Sequence, residues 1–203
     1  MHLQLEFAEA YKKAVGQKPD DAEAWFSIGY AYDHLGLYHD AAEAYKQAVT
    51  TRPEDAVIQH ALGIAFVKAG MYKEAVGPLK EAVRDNPKLA DAYLNLGIAY
   101  INMGNNEEAV EALKTALTRR FAYSAARYYL GMAYENLGKF DEAVDEYRQA
   151  VNIDPDYAEA HYALGHVYIK LKDKSSAMEE YETLERIDKK LGDKLFDKIN
   201  SNR

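Results

Sequence analysis

The side chains that could carry chemistry are numerous, but their spacing does not assemble them into a reactive group. Six histidines, His2, His34, His39, His60, His161 and His166, are the natural general bases and metal ligands. In the close pairs His34/His39 and His161/His166 the members stand five residues apart, about 140° around a helix, so neither pair offers two ligands on one face. Glu142, Asp145 and Glu146 read as a solvated helix face, not as a paired acid and base. The chain has no cysteine, which excludes thiolate nucleophiles, disulfides and cysteine-based zinc sites. No Gly-rich phosphate loop, Walker sequence or nucleophile elbow is present. These features lead us to expect a non-catalytic chain with no metal and no cofactor.

The elements that would position any site emerge from the glycines. Gly29, Gly63, Gly97, Gly131 and Gly165 recur every 34 residues, and Gly36, Gly70, Gly104 and Gly138 follow seven residues behind the first four. Pro19, Pro53, Pro87 and Pro155 keep the same period, with Phe121 in the remaining slot. Such a period is the mark of a repeat architecture. Five full units result, 22–55, 56–89, 90–123, 124–157 and 158–191. A half unit over 1–21 precedes them, in which Phe7, Tyr11, Ala14 and Pro19 match Ala41, Tyr45, Ala48 and Pro53. Two apolar patterns of helical spacing fill each unit, so every unit is predicted to be a helical hairpin.

Glycine inside a helix costs about 1 kcal/mol relative to alanine. Five such positions are tolerable only where a side chain would hold two helices apart. Gly29 and its equivalents therefore mark a close helix contact, with Ala41 and its equivalents expected opposite. Gly36, Gly70, Gly104 and Gly138 suit a helix end that needs positive φ. Pro78, inside the second helix of its unit, is expected to kink it.

Unit one reads Trp25, Ile28, Gly29, Tyr32, Ala41, Tyr45, Ala48 and Pro53. This resembles the tetratricopeptide repeat (TPR) family, whose signature is W-x2-L-G-x2-Y…A-x3-F…P on a 34-residue period. The resemblance implies an all-α fold, a right-handed α-solenoid of helical hairpins. It departs locally, with Phe121 for proline in unit three and Lys172 for glycine and Leu184 for alanine in unit five. Residues 192–203 carry Leu195, Phe196 and Ile199 among charges and are expected to form a capping helix.

Of the seventeen tyrosines, eleven fall on framework positions of the repeat and are expected to pack rather than to stack on bases. The family resemblance places the first helices of successive units along a concave groove. Its lining here would be Phe26, Tyr30, His60, Ile64, Val67, Leu94, Asn95, Ile98, Tyr128, Tyr129, Met132, Tyr162, His166 and Ile169. Such a surface suits a hydrophobic or amphipathic peptide. Its charged edge reads as mainly acidic, Glu23, Asp33, Asp91, Glu135 and Glu159 against Lys68 and Lys170, which favours apolar partners that carry basic residues. One TPR subclass grips the C-terminal carboxylate of heat-shock chaperones with Lys, Asn and Arg. Among the matching positions only Asn95 is of a suitable type, so that activity is expected to be absent.

The net charge of −8 disfavours nucleic acid and anionic membrane surfaces as partners. The longest stretch without Asp, Glu, Lys or Arg, Ala92 to Asn106, is too short and polar to insert into a bilayer. With no signal-peptide pattern over Met1 to Ala14, a cytoplasmic location is expected. The leading expectation is an interaction scaffold. Two alternatives stand beside it: a homo-oligomer that docks through the apolar face of the half unit at Phe7 and Tyr11, and a repeat segment of a larger protein.

Overall fold

The computed structural model describes residues 20–201. Among them are eleven α-helices and no strand, the all-α arrangement of hairpins expected. The chain divides into two compact units, Met1–Met103 and Gly104–Arg203. In the first, α1 (Ala22–His34) pairs with α2 (Tyr38–Thr51), α3 (Ala56–Lys68) pairs with α4 (Tyr72–Asp85), and α5 (Ala90–Met103) packs on α3 and α4. In the second, α6 (Asn106–Arg119) packs on α7 (Ser124–Asn136), which pairs with α8 (Phe140–Ile153). There too α9 (Ala158–Lys170) pairs with α10 (Lys174–Ile187), and α11 (Lys189–Ser201) packs on both. Phe7 and Tyr11 lie outside the described residues.

Local chemistry starts and stops these helices. The Asp21 carboxylate accepts from the Glu23 and Ala24 N–H groups at 3.1 and 3.0 Å, and Asp55 does the same for Val57 and Ile58 at 3.0 and 3.3 Å. Both satisfy donors that a first turn would otherwise leave orphaned. At the end of α1, Gly36 has φ +74°, its N–H donates to Asp33 O, and the Leu37 N–H donates to Tyr32 O at 2.9 Å. That pair of bonds is a Schellman closure. It recurs at Gly70 and Gly138, with φ of +75° and +72°. Lys172, in the glycine slot of the last hairpin, makes the same two bonds at φ +62°, a conformation that strains a residue with a Cβ.

The interior glycines do mark close contacts, but the opposing group is not the one expected from the sequence. A Cβ on Gly29 would lie 2.7 Å from the Tyr45 ring, and one on Gly131 2.6 Å from the Tyr147 ring; at Gly63 the group met is Leu79. The seat thus holds the large residue four positions after Ala41 and its equivalents, Tyr45, Leu79 or Tyr147, because that side chain occupies the space that the missing one leaves. At Gly165 the nearest atoms belong to Leu195 of α11, with Glu180 Cβ behind at 3.3 Å. Helix α4 runs unbroken through Pro78. Gly77 before it has no Cβ to collide with the proline ring.

Candidate functional site

In the first unit the expected lining residues occupy α1, α3 and α5. Phe26 is half-buried against the Tyr45 ring (centroids 5.3 Å apart), and Tyr30, 55% exposed, meets His34 edge-on at 4.3 Å. His60, Ile64 and Val67 on α3, and Asn95 and Ile98 on α5, are half-buried. Leu94 is buried and offers little surface. The Asn95 amide donates to the Asp91 carbonyl one turn back at 2.7 Å, so its donor is engaged by its own helix. Burial pushes the His60 imidazole pKa down, against the opposing Asp91 charge and a backbone hydrogen bond at Asp91.

In the second unit α7 carries Tyr128, Tyr129 and Met132, and α9 carries Tyr162, His166 and Ile169, all half-buried. Tyr128, Met132, Tyr162 and Ile169 each set one side against the core around Leu164 and Tyr147. Tyr128 anchors a ring cluster, with centroids 5.2 Å from Tyr129, 5.8 Å from Tyr147 and 5.2 Å from Tyr157. Burial, with Tyr129, Glu159 and Glu135 nearby, pushes its hydroxyl up to about 12. The Lys198 ammonium of α11 stands 5.5 Å from the Tyr162 ring centre.

Two carboxylates of the charged edge are ion-paired in the structure. Asp33 is held by Lys68 at 2.7 Å. Glu135 accepts from Lys170 Nζ at 2.9 Å, His166 Nδ1 at 3.2 Å and the Tyr147 hydroxyl at 3.1 Å. Burial raises the Glu135 pKa, but those three hydrogen bonds and the Lys170 charge outweigh it and hold the carboxyl at about 2. Both lysines counted against the acidic edge are thus spent on two of its members. Asp33/Lys68 and Glu135/Lys170 are each separated by 35 residues, one repeat plus one, a regularity that the sequence carries openly. Within the ring cluster Tyr128 and Tyr147 stand 19 residues apart, the same spacing as Phe26 and Tyr45, and Tyr157 joins them from just ahead of α9.

Among the described residues no group of three or more His, Asp and Glu side chains is placed to hold a metal ion. No described helix is long and apolar enough to cross a membrane. What the arrangement offers is apolar and aromatic surface with hydrogen-bonded ion pairs set into it.

No curated protein sequence matches the chain. Solved structures do. A crystal structure of MamA is 26% identical with a TM-score of 0.73, covering 80% of this chain and 95% of its own. YrrB, whose crystal structure is described as that of a TPR protein with an unusual peptide-binding site, is 25% identical with a TM-score of 0.70, covering 91% and 96%. The thermophilic TPR protein TTC0263 of Thermus thermophilus is 23% identical with a TM-score of 0.69, covering 88% and 99%, and shares the fold. Tetratricopeptide repeat profiles match residues 8–56, 66–132 and 158–191, and a TPR repeat profile matches 136–172. Hairpins closed on glycine seats, the Schellman ends and these matches from residue 8 to residue 191 carry one conclusion: the chain belongs to the tetratricopeptide repeat family.

Proposed function

We propose that the chain is a non-catalytic protein–protein interaction scaffold that binds an apolar or amphipathic peptide or helix on its first-helix faces. We divide it accordingly into the half repeat 1–21, the five units 22–191 and the cap 192–203. The observation that carries the reading is the row of apolar and aromatic side chains, exposed Tyr30 with half-buried Phe26, Ile64, Val67 and Ile98 in one unit and half-buried Tyr128, Met132, Tyr162 and Ile169 in the other. Apolar side chains that recur on successive first helices are what a hydrophobic or amphipathic peptide requires. TPR scaffolds as a family are generally non-catalytic, and YrrB shows that a member of similar length has a peptide-binding site. The exposed carboxylates Glu23 and Glu159 and the net charge of −8 favour partners with Lys or Arg beside the apolar residues, chiefly through the on-rate.

The test is a peptide array of apolar and amphipathic sequences, with and without basic residues, probed with the parent and with Tyr30→Ala combined with Tyr162→Ala. Aromatic anchors often carry about 2 kcal/mol or more each, so the double variant should lose over tenfold in affinity at unchanged helicity. Tyr128 is a poorer choice, because its ring is part of the packing around Tyr147. Equal binding by parent and variant would place the surface elsewhere. Light scattering across concentrations decides the alternative, self-assembly through Phe7 and Tyr11.

A further inference from the structure

One helix position recurs as Gln59, Tyr93, Arg127 and His161, each 34 residues after the last. Gln59 donates from its side-chain amide to the Pro53 carbonyl at 2.7 Å. In the last hairpin the same place is taken by His161, whose Nε2 lies 3.0 Å from the Pro155 carbonyl. Its other ring nitrogen, Nδ1, lies 2.6 Å from Glu180 Oε2 on α10. Both nitrogens therefore face acceptors. A neutral imidazole has one N–H and can serve only one of them, whereas the imidazolium serves both. The preceding hairpin places a guanidinium at the same position. Arg127 and Glu146 stand 34 residues before His161 and Glu180 and form a 2.7 Å ion pair in α7 and α8.

We propose that His161 is a proton-dependent tie: charged, it joins the α8–α9 connection at Pro155 to α10 at Glu180, and on losing its proton it releases one of them and loosens the last hairpin. The ring is buried and Glu180 nearly so, which keeps water from replacing the lost bond cheaply. Burial works against the charged ring, as does Arg186 on α10. The hydrogen bonds to Glu180 and to the Pro155 carbonyl, with the Glu180 charge, prevail and raise the pKa above the ordinary histidine value. The other helices packed on α9 direct charged groups to other side chains: Glu135 of α7 to His166 and Lys170, Arg148 of α8 to the Tyr168 hydroxyl, and Lys198 of α11 to the Tyr162 ring. With the folded pKa above the unfolded one, the contribution is complete below about 6.5 and is lost as pH rises through the folded value.

Two substitutions borrow the chain's own solutions at this position. His161→Gln copies Gln59, and His161→Arg copies Arg127. Urea unfolding of parent and variants is followed by circular dichroism from pH 5.5 to 9, with amide-exchange protection of α9–α11 against α7–α8. Relative to both variants, the parent should lose stability with rising pH, approaching tenfold in the equilibrium constant per pH unit between 6.5 and the folded pKa. The loss of protection should fall on α9–α11. An NMR titration of the His161 ring in the parent stands even if neither variant folds, and should show both nitrogens protonated at pH 6 and a midpoint above 6.5. Parallel pH dependence in all three proteins, or a midpoint at or below 6.5, overturns the proposal.

Discussion

A methyl group added at Gly131 sets a Cβ 2.6 Å from Tyr147 Cε1 and 2.7 Å from its Cδ1. The ring cannot retreat cheaply. It is fully buried, its centroid is 5.8 Å from that of Tyr128, and its hydroxyl donates to Glu135. Overpacking of this kind costs about 1–3 kcal/mol. Straining a hydrogen bond to a charged carboxylate adds about 1 kcal/mol. The better helix propensity of alanine returns about 1 kcal/mol. Gly131→Ala should therefore destabilise by about 2 kcal/mol, roughly thirtyfold in the local equilibrium. Urea unfolding at 222 nm measures it, with amide exchange in α7 and α8 as the local readout, because repeats can unfold by neighbouring units. In a Tyr147→Ala background the clash is gone, and the same substitution should stabilise by about 1 kcal/mol, the propensity gain alone. Equal effects in the two backgrounds would refute the idea that the seat exists for the ring.

Lys172→Gly should stabilise by about 0.5–1 kcal/mol in thermal or urea unfolding, since it relieves a left-handed backbone at φ +62° at the expense of some unfolded-state entropy. Arg127→Ala should cost about 3–5 kcal/mol by stranding Glu146, whose partner at 2.7 Å is as shielded as itself, whereas Arg127→Met with Glu146→Leu should be close to neutral. Glu135 has a folded pKa of about 2 against an ordinary 4.5, so its contribution is present above about pH 4.5 and disappears as pH falls toward 2. The loss is on the order of 3 kcal/mol, and Glu135→Gln should flatten acid unfolding over that window.

The helical hairpins were legible because their signals are local and repeated. A glycine that must take positive φ announces itself at Gly36, Gly70 and Gly138, and the exception at Lys172 is visible as a broken period. Cap, apolar spacing and terminator all act within a few residues, and each unit repeats the experiment.

Which side chain fills a seat is decided between helices, at distances of a few tenths of an ångström. Nothing in the period distinguishes Ala41 from Tyr45 as the neighbour of Gly29; the backbone approach of α1 to α2 does. Nor does the period show that Leu195, thirty residues on and outside the repeat, takes the seat at Gly165. Read as a sequence, Asp33 and Glu135 are carboxylates counted against Lys68 and Lys170 along one edge; folding pairs each with its lysine and adds Tyr147 and His166 to the second. The sequence alone determined which residues share a helix face, because that depends on the 3.6-residue turn. Only the tertiary structure decided which of them are already satisfied, because that depends on what the neighbouring helix carries at the point of contact.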